Sequence, residues 1–187
     1  MIQELITKNR SYRRFNQGRD VSYEELVAMV NSARLSPSAA NRQRARFILV
    51  NSKDECDKIF PLLSFAGYLK DWCGPTENER PKAYILILTE NEPDTNLSID
   101  IGIYAQSILL TATEMGLGGC MFRSFKRDAV SALFPSDTYH TELVIALGEP
   151  SEEVYITDVL DGDIKYYRDE NDAHVVPKRT LDELILK

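Results

Sequence analysis

Histidine, cysteine and surplus positive charge are scarce in this chain, and each shortage removes a class of function. The 187 residues hold 2 histidines, His140 and His174, and 3 cysteines, Cys56, Cys73 and Cys120. Neither histidine keeps metal-ligand spacing with a cysteine, so no metal site is expected. An odd number of widely spaced cysteines makes no disulfide framework, and the expectation is small buried apolar residues in a reducing cytoplasm. His140 reads as an ordinary surface residue. Lys and Arg number 22 against 29 Asp and Glu, which argues against a general nucleic-acid surface. A Gly-x-Ser-x-Gly nucleophile elbow is missing, as is a phosphate loop ending in Gly-Lys-Ser/Thr. Gly116-Leu117-Gly118-Gly119 fails as a dinucleotide fingerprint, because it follows a helix and Met121 stands at the third glycine position. Met1-Ile2-Gln3-Glu4 opens straight into a helical pattern with no secretory succession. Neither a repeat nor a low-complexity block divides the chain, so one domain over 1–187 is expected.

What is present is organised around the stretch from Ser98 to Cys120. It predicts a helix apolar on nearly every face, with Ile99, Ile103, Ile108, Leu109, Leu110, Ala112 and Met115. Such a helix belongs in a core or an assembly. Asp100 and Glu114 inside the window argue against a membrane span. Gly116, Gly118 and Gly119 are expected to end it. Capping boxes at Ser22-Glu25, Ser52-Glu55 and Thr180-Glu183 predict three helix starts. A first helix is expected over 2–8 and another over 127–134. Strands are expected at 46–50, at 83–89 and at 142–148, the last two as continuous apolar runs buried on both faces. Asp161-Gly162 predicts a hairpin between 154–160 and 164–168. The mixture without strict alternation points to an α+β fold. The segment from Pro150 to Lys178 is polar, with little apolar surface to hold it on its own domain, so it is expected to pack on a partner subunit.

The chemistry lies in the placing of cations. Arg10, Arg13 and Arg14 fall close together with Ser11 among them, and Lys178 and Arg179 precede the Thr180 cap. Ser38, Asn41, Arg42 and Gln43 form a loop of hydrogen-bonding groups. Arginine forks match phosphate oxygens and lysine adds a point charge, so two such clusters in an acidic protein suit one phosphorylated ligand.

These residues sit in motifs that resemble the nitroreductase family: Arg10-Ser11-Tyr12-Arg13-Arg14-Phe15, Pro37-Ser38-Ala39-Ala40-Asn41-Arg42-Gln43, the Asp100–Cys120 stretch, Ala146-Leu147-Gly148-Glu149-Pro150, and Pro177-Lys178-Arg179-Thr180-Leu181-Asp182-Glu183. They occur in the family's order along almost the whole chain. The resemblance implies an FMN-dependent oxidoreductase that uses NAD(P)H to reduce nitroaromatics, quinones or similar acceptors. It implies a nitroreductase-like fold, with a central mixed sheet flanked by helices. It also implies an intertwined homodimer with FMN at the interface and the C-terminal segment extending onto the partner. Arg10, Ser11, Lys178 and Arg179 would hold the phosphate and ribityl end. Arg13 would sit near N1 and O2 of the isoalloxazine as the catalytic cation, with Tyr12 in the same motif. Ser38, Asn41 and Gln43 would reach the cofactor from the neighbouring subunit, with Pro37 and Ala39 of the same motif also binding it, and the Met121-Phe122-Arg123-Ser124 turn would pass beside the ring. Asn9 stands where the family often has an arginine, and Met121 and Arg123 stand where it often has Trp and Gly. The loop from Gly67 to Pro81, with Tyr68 and Trp72, marks a place for a substrate cover. Two other readings remain at this stage, a non-catalytic flavin- or nucleotide-binding module and a structural dimer.

Overall fold

Alternation along the buried runs decides the layers. In β2 (Ala83–Glu90), Ala83, Ile85 and Ile87 join one core, while Tyr84, Leu86 and Leu88 join the other. Successive strand side chains point to opposite faces, so a run buried throughout needs a cover on both sides. The computed structural model describes residues 1–90 and 97–187. It places β2 inside a four-stranded sheet of order β1-β2-β4-β3, with β1 at Arg46–Val50, β3 at Gly118–Phe122 and β4 at Tyr139–Gly148. Every strand pair is antiparallel, and an isolated parallel bridge from Ser11 to Gly119 gives its β3 edge mixed pairing. On one face lie α2 (Tyr23–Leu35) and α4 (Leu97–Glu114), contributing Leu26, Met29, Ala33, Tyr104, Ala105, Ile108 and Ala112. On the other lie α3 (Lys53–Ile59) and α5 (Arg127–Leu133), contributing Cys56, Ile59 and Val130. The short α1 (Ile2–Lys8) has no buried residue, and α6 (Leu181–Leu184) has none either.

Local signals place the helix starts. Ser22 accepts from the Glu25 backbone N–H while the Glu25 carboxylate accepts from Ser22 N–H, so α2 begins at its capping box. Ser52 caps α3 by accepting from the Glu55 backbone N–H, with its hydroxyl rather than its backbone N–H donating to the Glu55 carboxylate, and the Thr180 box opens α6.

The end of α4 differs from expectation. The helix stops at Glu114, and Gly118–Phe122 is the edge strand β3 rather than its last turn. Gly116 alone is the stop, with φ +74°. Its N–H donates to Thr113 O at 3.1 Å, and that of Leu117 to Ala112 O at 2.8 Å, the paired bonds of a Schellman cap. Gly118 and Gly119 serve packing instead. A Cβ on Gly118 would come within 2.5 Å of the Tyr12 ring, and one on Gly119 within 2.3 Å of Ala146 O. Gly116→Ala is therefore expected to cost about 1–2 kcal/mol, the left-handed penalty of an L-residue. A urea melt with a lower midpoint and unchanged slope would check it.

The helix is also less enclosed than its composition predicts. Asp100, Tyr104, Ile108 and Ala112 are buried, but Ile99 is 61% exposed and Gln106 faces outward.

The segment from Pro150 to Lys178 corrects the expected hairpin. It folds on its own chain as a second sheet of order β5-β7-β6, with β5 at Val154–Asp158, β6 at Tyr167–Arg168 and β7 at His174–Lys178. Asp161-Gly162 does make a tight turn, with φ +49° and +76° and Asp163 N–H donating to Leu160 O. Its flanking strands do not pair with each other. β7 inserts between them, parallel to β5 and antiparallel to β6. What holds this polar sheet is charge rather than apolar area. The Glu152 carboxylate, 2% exposed, accepts from the Arg13 and Arg14 backbone N–H groups and pairs with Arg168 at 2.6 Å.

Candidate functional site

The first cation cluster is built by an extended strip. Tyr12 N–H donates to Gly119 O at 3.0 Å, and Phe15 is buried against Gly148. Tyr12 thus lies along the β3 edge, its ring over Gly118 and its hydroxyl donating to Lys8 O at 2.9 Å. Burial raises its phenol pKa above the usual value. The neighbouring residues Asn9, Ser11 and Arg13 reach the other way, into a cavity of about 280 Å³.

This cavity unites the two cation clusters. It is lined by Arg10, Ser11 and Arg13 from the strip, Gln106 and Leu109 from α4, Met121 from β3, Tyr166, and His174, Val176 and Lys178 from β7. Arg13 is 8% exposed; its Nη1 donates to Ser11 O at 3.1 Å and to His174 Nε2 at 3.3 Å. Its guanidinium lies over the Tyr166 ring, 5.0 Å from the centroid. Arg10 Nη2 donates to Ile6 O at 2.8 Å, and its buried Nε has no partner among the described residues.

His174 escaped the sequence reading. It is 1% exposed, and its ring packs on Tyr166 at 5.1 Å. Burial first, and the Arg13 charge second, push its pKa down to about 4. Arginine only donates, so Nε2 must accept and the neutral imidazole carries its proton on Nδ1. That buried Nδ1 has no partner among the described residues. Arg13, Arg14 and Arg168 oppose protonation of this ring and Glu152 favours it. An unfolded histidine protonates near 6.5. The unfolded chain therefore binds more protons between about 6.5 and about 4, and stability falls as pH drops through that window. Urea midpoints from neutral pH down to the lower edge of that window should fall more steeply for the native chain than for His174→Gln.

Other predicted site residues lie elsewhere. Arg179 turns to its own helix and pairs with Glu183 at 3.2 Å. Phe122 is buried against Phe65, and Arg123 is exposed, 3.6 Å from Glu142; both belong to β3 or its end, not to a turn. Pro37, Ser38, Ala39, Asn41 and Gln43 line no wall of the cavity within one chain. Their loop is nonetheless built with care: Ala40, Asn41 and Gln43 all have φ near +50°, and buried Asp100 accepts from Ala39 N–H at 2.9 Å. Trp72 packs among Arg14, Arg168 and Phe65, so it is a structural residue. Tyr68 instead reaches Tyr166, ring to ring at 4.9 Å. Cys56 and Cys120 are buried thiols whose pKa values burial raises, whereas Cys73 is exposed, against expectation. Among the described residues no cluster could hold a metal ion, and no helix is long and apolar enough to cross a membrane.

An antiparallel sheet between helix pairs, with an arginine strip on its glycine edge, is the nitroreductase α+β fold. A solved structure from Staphylococcus epidermidis superposes with a TM-score of 0.73 at 16% identity, covering 100% of this chain and 95% of that one. The FMN complex of an Exiguobacterium sibiricum protein superposes with a TM-score of 0.68 at 19% identity, covering 86% and 93%. A Methanothermobacter thermautotrophicus protein named "Putative NADH dehydrogenase/NAD(P)H nitroreductase" is 27% identical over 87% of this chain and 84% of its own length. The Nitroreductase family model matches residues 6–66 and 63–149, and the chain belongs to that family.

Proposed function

We propose that this chain is an FMN-dependent oxidoreductase that takes electrons from NAD(P)H and reduces nitroaromatics, quinones or similar small acceptors. The observation that carries the reading is the convergence of Arg10, Arg13 and Lys178 on one cavity, from opposite ends of the sequence. Two buried polar atoms of its lining residues, Arg10 Nε and His174 Nδ1, have no partner among the described residues. A buried donor left unpaired costs about 1–3 kcal/mol, so a ligand rich in acceptors fits this wall.

Arg10, Ser11 and Lys178 would hold the phosphate and ribityl end. Arg13 would face N1 and O2 of the isoalloxazine, a fixed cation that favours the reduced cofactor. FMN supplies the hydride chemistry at N5, and the chain supplies position and charge. No side-chain acid or base is assigned, because binding and orientation carry most of the rate.

The site reads as half of a larger one. About 280 Å³ falls short of the roughly 300–1,000 Å³ of small-molecule pockets. Ile99, Leu181, Leu184 and Ile185 are all at least 60% exposed, apolar surface that a homodimer would cover. Pro37, Ser38, Ala39, Asn41 and Gln43 would then complete the site across the interface, with residues 1–187 acting as one FMN-binding unit. Three unpaired cysteines suit a cytoplasmic setting.

Fluorescence titration with FMN tests the reading. Arg10→Ala and Lys178→Ala should each weaken uptake about tenfold or more, the loss of one charge-assisted hydrogen bond. Unchanged uptake in both would sink the assignment of this cavity.

A further inference from the structure

Among the described residues no carboxylate bonds the Arg13 guanidinium. Its partners among them are a carbonyl, an imidazole and a ring face. The nearby carboxylate of Glu152 is occupied by Arg168 and by backbone N–H groups. A neutral acceptor can orient an arginine without cancelling its field, which a carboxylate cannot do.

We propose that His174 is the positioning residue that holds Arg13 in the cofactor cavity and leaves its positive charge for the ligand. This rests on the FMN reading above. His174 is suited by rigidity as well as chemistry. It opens β7 between two strands, and its own N–H donates to Glu153 O at 2.8 Å. Tyr166 closes one face of its ring and supports the Arg13 guanidinium on its own face. The arginine is therefore fixed by the imidazole edge, the Ser11 carbonyl and an aromatic plane. Removing the imidazole removes the one side-chain hydrogen-bond acceptor of the three.

The test is FMN affinity and the two-electron midpoint potential of the FMN-loaded protein, with cofactor-free melting as a fold control. His174→Leu should weaken FMN binding about tenfold. The reduced cofactor should lose about tenfold more than the oxidised one, a potential about 30 mV lower. His174→Gln keeps a neutral acceptor and should restore both. His174→Glu keeps an acceptor but cancels the charge, and should lower the potential even where binding persists. It keeps the test open should the leucine variant fail to fold. A loaded His174→Leu or His174→Glu protein with native potential would overturn the proposal alone. A native chain that takes up no FMN would overturn the cofactor reading and this inference together. An Arg13→Ala change that leaves the potential unmoved would locate the failure in Arg13's role instead, and would equally overturn the proposal.

Discussion

Glu152→Ala is expected to cost about 3–5 kcal/mol, the loss on removing one partner of a buried ion pair. The carboxylate is 2% exposed and is shared by three groups, Arg168 Nη2 at 2.6 Å, Arg14 N–H at 3.1 Å and Arg13 N–H. Its removal leaves a largely buried guanidinium with only the Asp172 carbonyl and carboxylate as acceptors, and takes the acceptor from two backbone donors at once. The damage should be directional. Arg13 and Arg14 belong to the strip that lines the cavity, and Arg168 lies in the second sheet, so that one carboxylate ties the strip to the second sheet. FMN uptake should be lost before global unfolding, as the second sheet loosens from the first. Glu152→Gln can accept from one partner only and should fall between. Equilibrium urea unfolding, run beside FMN titration, would measure both effects. A variant with native stability would show that the carboxylate is a bystander.

Gly119→Ala is the second large effect. A Cβ there would stand 2.3 Å from Ala146 O, 2.8 Å from a Leu109 methyl and 3.0 Å from Leu147. The first neighbour is backbone of the adjacent strand and cannot turn aside. Gly119 also pairs with Leu147 and accepts from Tyr12 N–H at 3.0 Å. Relief would require β3 to move off β4, carrying Met121 and the arginine strip with it. Overpacking of a tight core commonly costs about 1–3 kcal/mol, and the upper end or beyond is expected here because backbone is struck. Thermal unfolding should shift down sharply, with weaker FMN uptake in whatever remains folded. Gly118→Ala meets the Tyr12 ring and Pro150 Cγ instead, side chains with some freedom, and should be milder.

Local signals were legible in the sequence. The Ser22 and Thr180 capping boxes, the apolar runs of β2 and β4, and the apolar α4 all state their element within a few residues. β3 was not legible, because its sequence GGCMF opens with two glycines that mimic a helix stop. Only the approach of Tyr12 and of the Ala146 carbonyl explains those glycines. The pairing of β5 with β7 was hidden for a similar reason, since a parallel partner some twenty residues away leaves no mark on the turn between. Arg10, Ser11, Arg13, Met121 and Lys178, named from charge and from the family resemblance, all line the one cavity. His174 was missed because its burial depends on Tyr166 and Arg13, which sequence spacing does not connect. A signal did exist. If 174–178 is read as a strand, His174 and Val176 share the face of Lys178, four and two residues back, and all three line the cavity. The same spacing places Asn9, Ser11 and Arg13 together.

The most direct measurement is the visible absorption spectrum of the purified protein supplied with FMN, before and after anaerobic NADH and then NADPH. Bound flavin bands should bleach with at least one of the two and return when a quinone or nitroaromatic is added. A protein that takes up no FMN, or whose bound bands survive both reductants, would contradict the assignment as an FMN-dependent oxidoreductase.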